Sequence, residues 1–130
     1  MIRITLTSVM VDDQAKALDF YTRVLGFTLK RDIPMGHARW LTVVTADQPD
    51  GTELLLEPMG GLAEAAAFQK ALFNAGIPIT AFAVDDLEAE YKRLQALGVE
   101  LRGEPSKPDV GPATVVLNDT CGNLIQLFQG

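Results

Sequence analysis

A chain of 130 residues, 48% apolar and 22% charged, has room for one domain with a real core and not for two ordinary ones. Its net charge of −6 and isoelectric point near 4.6 exclude nucleic acid and anionic membrane as expected partners, since both require clustered Lys and Arg. No window approaches the roughly 18–20 apolar residues of a membrane span, and Arg3, Thr5, Thr7 and Ser8 interrupt any signal-peptide core, so a cytoplasmic protein is expected.

The first element is a strand in "IRITLTSVMV", β-branched and alternating. Asp12 or Asp13 follows as a helix N-cap, its carboxylate accepting from an unsatisfied backbone N–H. The helix carries Ala17, Leu18, Tyr21, Val24 and Leu25 on one stripe and stops at Gly26, a residue suited to the left-handed conformation there. Phe20 and Tyr21 belong to the core by this reading. Three strands are predicted next, at Phe27–Arg31, Trp40–Thr45 and Glu53–Pro58, parted by the turn chemistry of "PMG" and "DQPDG". An alanine-rich connector is predicted helical from Ala63 to Asn74, with Gly76 behind it.

The pattern then repeats. "VDDQAKALDFYTRVLGFTLKRD" from Val11 is echoed by "VDDLEAEYKRLQALGVELRGE" from Val84, 73 positions later. In the second copy Asp86 is the expected cap, Leu87, Tyr91, Leu94 and Leu97 the stripe, Gly98 the stop, and Glu88 with Lys92 an ion pair on the wet face. Strands are predicted at Val99–Gly103, Ala113–Asn118 and Leu124–Gln129. The fold class is therefore α+β, with a β-α-β-β-β module over about residues 1–59, a connector over about 60–76 and a second module over about 77–130. A helix covers one face of each sheet, and two such copies can wrap their free faces around a shared cleft as an incomplete barrel. Whether the modules pair within one chain or swap between two is left open.

"VMVDDQAKALDFYTRVLGF", "AVDDLEAEYKRLQALGV" and the closing "NDTCGNLIQLFQ" together resemble the vicinal oxygen chelate superfamily, which includes glyoxalase I, extradiol dioxygenases and bleomycin-resistance proteins. The resemblance spans about residues 3–129 and implies the glyoxalase/bleomycin-resistance fold. Metal-using members place one inward His or Glu on each of four strands. The resemblance puts those positions at Leu6, Glu57, Ile79 and Gln126, one carboxylate and one carboxamide among two aliphatics. No cofactor is expected from such a set, because leucine and isoleucine have no lone pair to give a divalent cation.

Strand alternation is an independent guide, since side chains two apart share a face. It groups Glu53, Leu55 and Glu57; Leu124, Gln126 and Phe128; and Ile4, Leu6, Ser8 and Met10. A cleft lined by Leu6, Met10, Glu57, Ile79, Gln126 and Phe128 would be apolar with a few orienting groups, the usual make-up of an organic-ligand pocket. Glu57 has two readings, a carboxylate that reaches water or pairs with Arg3 or Arg39, and one that contacts a ligand. Desolvated, it could serve as a general acid or base. In "PMGHARWLTV", His37 is surface decoration or a ligand contact, Arg39 an exposed rim residue or an anion holder, and Trp40 a core residue or a stacking platform. Thr114 and Asn118 point towards the ligand side, and Cys121, the only cysteine, is a turn residue rather than a nucleophile.

The expected function is binding of a small organic molecule without a catalytic metal. The alternatives are an enzyme of the same superfamily (a lyase, isomerase or dioxygenase, metal-free with Glu57 as base or metal-dependent through other ligands) and a non-catalytic interaction domain. A homodimer is what the resemblance implies.

Overall fold

A computed structural model describes residues 1–130. The chain divides into two compact units, Met1–Ala66 and Ala67–Gly130. No helix is long and apolar enough to cross a membrane.

The first unit holds β1 (Leu6–Val11), α1 (Gln14–Asp19), β2 (Thr28–Met35), β3 (Ala38–Val44) and β4 (Glu53–Pro58), in a sheet ordered β1-β4-β3-β2. β1 runs parallel to β4, and the other pairs are antiparallel. Asp13 is the N-cap, its carboxylate accepting from the Lys16 N–H at 3.0 Å. After Asp19 the helix widens into a π-helical turn over Phe20–Val24, where the Leu25 N–H reaches back to the Phe20 carbonyl. That turn rotates Phe20 inward beside Tyr21 and Val24, so all three are buried, while Leu18 and Leu25 are only half-buried. Val9, Val11, Leu41, Val43, Leu54 and Leu56 complete this core on the helix side of the sheet.

The second unit repeats the plan with β5 (Thr80–Val84), α3 (Leu87–Ala96), β6 (Thr114–Asn118) and β7 (Leu124–Gln129), ordered β5-β7-β6. It also holds most of α2 (Ala63–Asn74), which occupies the bounds expected for the connector helix. β5 and β7 are parallel, as β1 and β4 are, so the duplication seen in the sequence is a duplication of topology. Asp86 caps α3 by accepting from Ala89 N–H at 3.0 Å. Leu87, Leu94, Val115, Leu117, Ile125 and Leu127 form the core.

Several sequence expectations shift. β2, expected at Phe27–Arg31 with "PMG" as its turn, runs on through Pro34 to Met35, where it pairs with Ala38. β1 begins at Leu6 rather than Ile2, because its partner β4 begins at Glu53 and only the Glu53 N–H reaches back to Thr5. The strand expected at Val99–Gly103 shrinks to one bridge, Leu101 to Leu117, cut short by Gly103 in a left-handed conformation (φ 92°). Leu97, expected on the buried stripe, lies at the end of α3 and is 50% exposed. The ion pair on α3 joins Glu90 to Arg93 at 2.7 Å instead of Glu88 to Lys92.

The loop between β6 and β7 is tied to α2 by a buried polar network. The Asp119 carboxylate is fully buried and accepts from the backbone N–H of Cys121 (2.7 Å) and Asn123 (3.0 Å) and from the Asn123 side chain (2.8 Å). Asn123 in turn accepts from Gln69 Nε2 at 3.0 Å. Gln69 lies so close to Gly122 that a Cβ there would sit 2.5 Å from its amide oxygen, and Gly122 has a φ of 99°. Cys121 is buried in this turn, in keeping with a packing role.

Candidate functional site

Each sheet turns one face to its helix and leaves the other open. On the first sheet the open face carries Leu6, Ser8 and Met10 of β1 and, in register with them, Glu53, Leu55 and Glu57 of β4. β3 adds Ala38, Trp40 and Thr42. β2 contains a one-residue bulge at Lys30, between the pairs Leu29–Val43 and Arg31–Thr42. A bulge reverses the facing of every later side chain. It is what brings Arg31, Ile33 and Met35 onto the open face and sends Asp32 to the other.

Towards its Pro58 end the open face sinks into a hollow of about 220 Å³, lined by Met35, Ala38, Arg39, Trp40, Leu55, Glu57 and Pro58. Its origin is local. β3 and β4 pair only at Thr42–Leu55 and Val43–Leu54. Beyond those pairs Pro58 has no N–H with which to continue the ladder. Gln14, on the first turn of α1, takes over. Its Nε2 donates to the Arg39 carbonyl (2.7 Å) and the Leu56 carbonyl (2.9 Å), and its Oε1 accepts from the Arg39 N–H (2.9 Å). One carboxamide thus satisfies three part-buried backbone groups while the strands separate. Continuing the register, Trp40 falls opposite Glu57 across that separation.

The charges around the hollow are unevenly matched. The Arg39 guanidinium is turned to Asp32, with contacts of 2.6 and 2.9 Å, and its hydrogen bonds, aided by its charge, hold the Asp32 carboxyl below its ordinary range. Glu53 accepts from the Thr42 hydroxyl at 2.7 Å and from Arg31 Nε at 3.0 Å. The Thr42 hydrogen bond is the larger cause, and Arg31 the second, of a pKa lowered from the ordinary 4.5. Glu57 is exposed and has no ion pair with Arg3 or Arg39.

The Glu53 arrangement has a pH consequence. A carboxylate with a lowered native pKa contributes stability that is whole above 4.5 and is lost as pH falls through the native value. Thr42→Val removes the stronger donor, so the variant should lose less stability than the parent between neutrality and about pH 3. Urea unfolding at several pH values measures this, and parallel acid slopes for the two proteins would refute it.

The other sequence candidates are distributed as follows. Leu6 is exposed and Met10 half-buried on the same open face, Met10 beside Glu57. His37 is exposed at the turn between β2 and β3. On the second sheet Gln126 and Phe128 share the open face and are half-buried. Ile79 stands just ahead of β5, its N–H bonded to the Leu124 carbonyl. Thr114 is engaged with Ser106, and Asn118 with Glu100 and the Thr120 N–H. Sequence reasoning missed Gln14 and Met35, although "DDQ" at the start of a capped helix was available as a signal for the first.

The registers also refine the correspondence between halves. With Val11 matched to Val84, Ser8 corresponds to Ala81 and Met10 to Ala83. Their partners are Leu55 and Glu57 on β4, and Gln126 and Phe128 on β7. Gln126 is thus matched by Leu55, and Glu57 by Phe128. Glu57 and Leu55 share a face, so alternation alone could not separate positions two apart.

A family model described as the Glyoxalase/Bleomycin resistance protein/Dioxygenase superfamily matches residues 3–127. YurT of Bacillus subtilis (strain 168), an uncharacterized protein, is 51% identical over 128 residues, covering 98% of each chain. Among solved structures, UcmS2 is similar with a TM-score of 0.84 at 30% identity, over 100% of this chain and 99% of its own. TnmS3, an antibiotic binding protein from Streptomyces sp. CB03234, is similar with a TM-score of 0.73 at 31% identity, over 98% and 95%. On these grounds the chain belongs to the glyoxalase/bleomycin resistance protein/dioxygenase superfamily.

Proposed function

We propose that this protein binds a small organic molecule on the open face of its first sheet, at the hollow beside Trp40, without a catalytic metal. The observation that carries the reading is the hollow itself: Met35, Trp40, Leu55 and Pro58 make an apolar wall with one unpaired carboxylate, Glu57. At about 220 Å³ it is smaller than the roughly 300–1,000 Å³ of typical ligand pockets, which suits it to holding one end of a molecule. The similarity to an antibiotic-binding protein supports the same reading.

The donor chemistry supports the metal-free form of it. Among Leu6, Leu55, Glu57, Ile79 and Gln126 there is one carboxylate and one carboxamide, and the aliphatic side chains have no lone pair to give a divalent cation. Sequestration or sensing in the cytoplasm, as a homodimer, completes the proposal. Stoichiometric metal retained by the purified protein would count against it.

Trp40 is the only tryptophan, so its indole N–H resonance reports on the hollow directly. Naphthylmethanol, a neutral fused-ring probe, should shift that resonance on titration. Leu55→Asp, which places a second charge at the apolar wall, should weaken its binding about tenfold or more. An unmoved indole resonance at millimolar probe would overturn the reading.

A further inference from the structure

Accepting that the hollow is a binding site, we infer that it selects organic cations, in the form of an amine carried on a flat apolar body. The argument is one of charge matching. Each cation close to the hollow is already committed: Arg39 to Asp32 at 2.6 Å and Arg31 to Glu53 at 3.0 Å. An anionic ligand would have to break one of these pairs to gain a partner. Glu53, the other carboxylate on this face, is satisfied by the Thr42 hydroxyl and Arg31. Glu57 has neither kind of partner and lines the hollow directly. An ammonium group is the complement it lacks.

The neighbouring ring favours the same charge. Trp40 falls opposite Glu57 where β3 and β4 separate, and both line the hollow. The face of an indole attracts a cation through its quadrupole, more strongly than any other side-chain ring. Carboxylate and indole thus offer two attractions to one ammonium, while Met35 and Leu55 offer dispersion contacts to the hydrocarbon that carries it. The chain's net charge of −6 draws cations to the surface over a longer range, an effect that salt weakens. Arg39 does not oppose this, because the Asp32 carboxylate neutralises it at contact distance.

The test uses three probes with one fused-ring body: naphthylmethylamine, naphthylmethanol and naphthoate, each followed by the Trp40 indole resonance. An exposed ion pair and a cation–π contact together predict that the amine binds about tenfold tighter than the alcohol, with the naphthoate weakest. Glu57→Gln, a near-isosteric change at an exposed side chain, should reduce the amine's preference over the alcohol by about twofold or more, to the part that the Trp40 face supplies. Amine and alcohol binding alike to the parent protein would overturn the cation assignment while leaving the binding site intact. An amine preference that is undiminished in Glu57→Gln would likewise overturn it. Failure of all three probes to shift the resonance would remove the binding site and this inference together.

Discussion

Asp119→Ala should destabilise the protein by about 3 kcal/mol, the largest effect expected of any single substitution outside the apolar core. The carboxylate is fully buried and accepts three hydrogen bonds at 2.7–3.0 Å, two of them from backbone N–H groups in its own loop. Alanine leaves those donors without an acceptor in a place water does not reach, and each such loss costs on the order of 1–3 kcal/mol. The damage extends beyond the loop, since Asn123 positions the carbonyl that accepts from Gln69 on α2. For a chain of this size the midpoint of thermal unfolding should fall by roughly 10 °C. Asp119→Asn keeps an oxygen for the two backbone donors but turns an amide towards Asn123, so an intermediate loss is expected. Circular dichroism on heating and in urea measures both variants. A loss below about 1 kcal/mol for Asp119→Ala would show that the network is dispensable.

Gln14→Leu should cost about 2 kcal/mol and also deform the candidate site. Leucine fills similar space but cannot bond the Arg39 N–H, the Arg39 carbonyl or the Leu56 carbonyl, all within 2.9 Å of the native carboxamide. These groups have no alternative partners in the sheet, because β3 and β4 have already parted and Pro58 cannot donate. Amide hydrogen exchange at Arg39 should quicken markedly, and the Trp40 indole resonance, next in sequence, should move. Gln14→Glu separates the causes. It retains an acceptor for the Arg39 N–H and sets a negative charge against two carbonyl oxygens, so it should be at least as damaging. Unchanged protection of the Arg39 amide in Gln14→Leu would dismiss the carboxamide as the bridge.

The contrast between Asp13 and Gln14 shows what could be read from the sequence. Asp13, like Asp86, acts within one helical turn, so the cap is visible in the order of residues alone. Gln14 acts on residues 25 and 42 positions away, and no local pattern announces that. The helix bounds Ala63–Asn74 followed from composition for the same reason that Asp13 did. The strand expected at Val99–Gly103 was cut short although β6 lies beside it: the Arg102 N–H donates to the Val116 carbonyl and the Glu100 carbonyl accepts from the Asn118 N–H, but the left-handed Gly103 ends the pairing after one bridge.

Site residues divide along the same line. That Glu53, Leu55 and Glu57 share a face follows from the alternation of an extended chain, and the structure keeps it. That Leu55, not Glu57, stands in the place of Gln126 needed the pairing of β1 with β4 and of β5 with β7. Met35 was out of reach because the bulge at Lys30 changes the facing of everything after it, and a bulge depends on both strands.

The sequence by itself determined the family, the duplicated β-α-β-β-β plan, the caps and which side chains alternate together. These are properties of neighbouring residues and of a repeat that can be laid over itself. Only the tertiary structure decided where the strands part, which of the two carboxylates on β4 is already paired, and which side of β2 meets Trp40. Each of those depends on hydrogen bonds closed between segments distant in the chain.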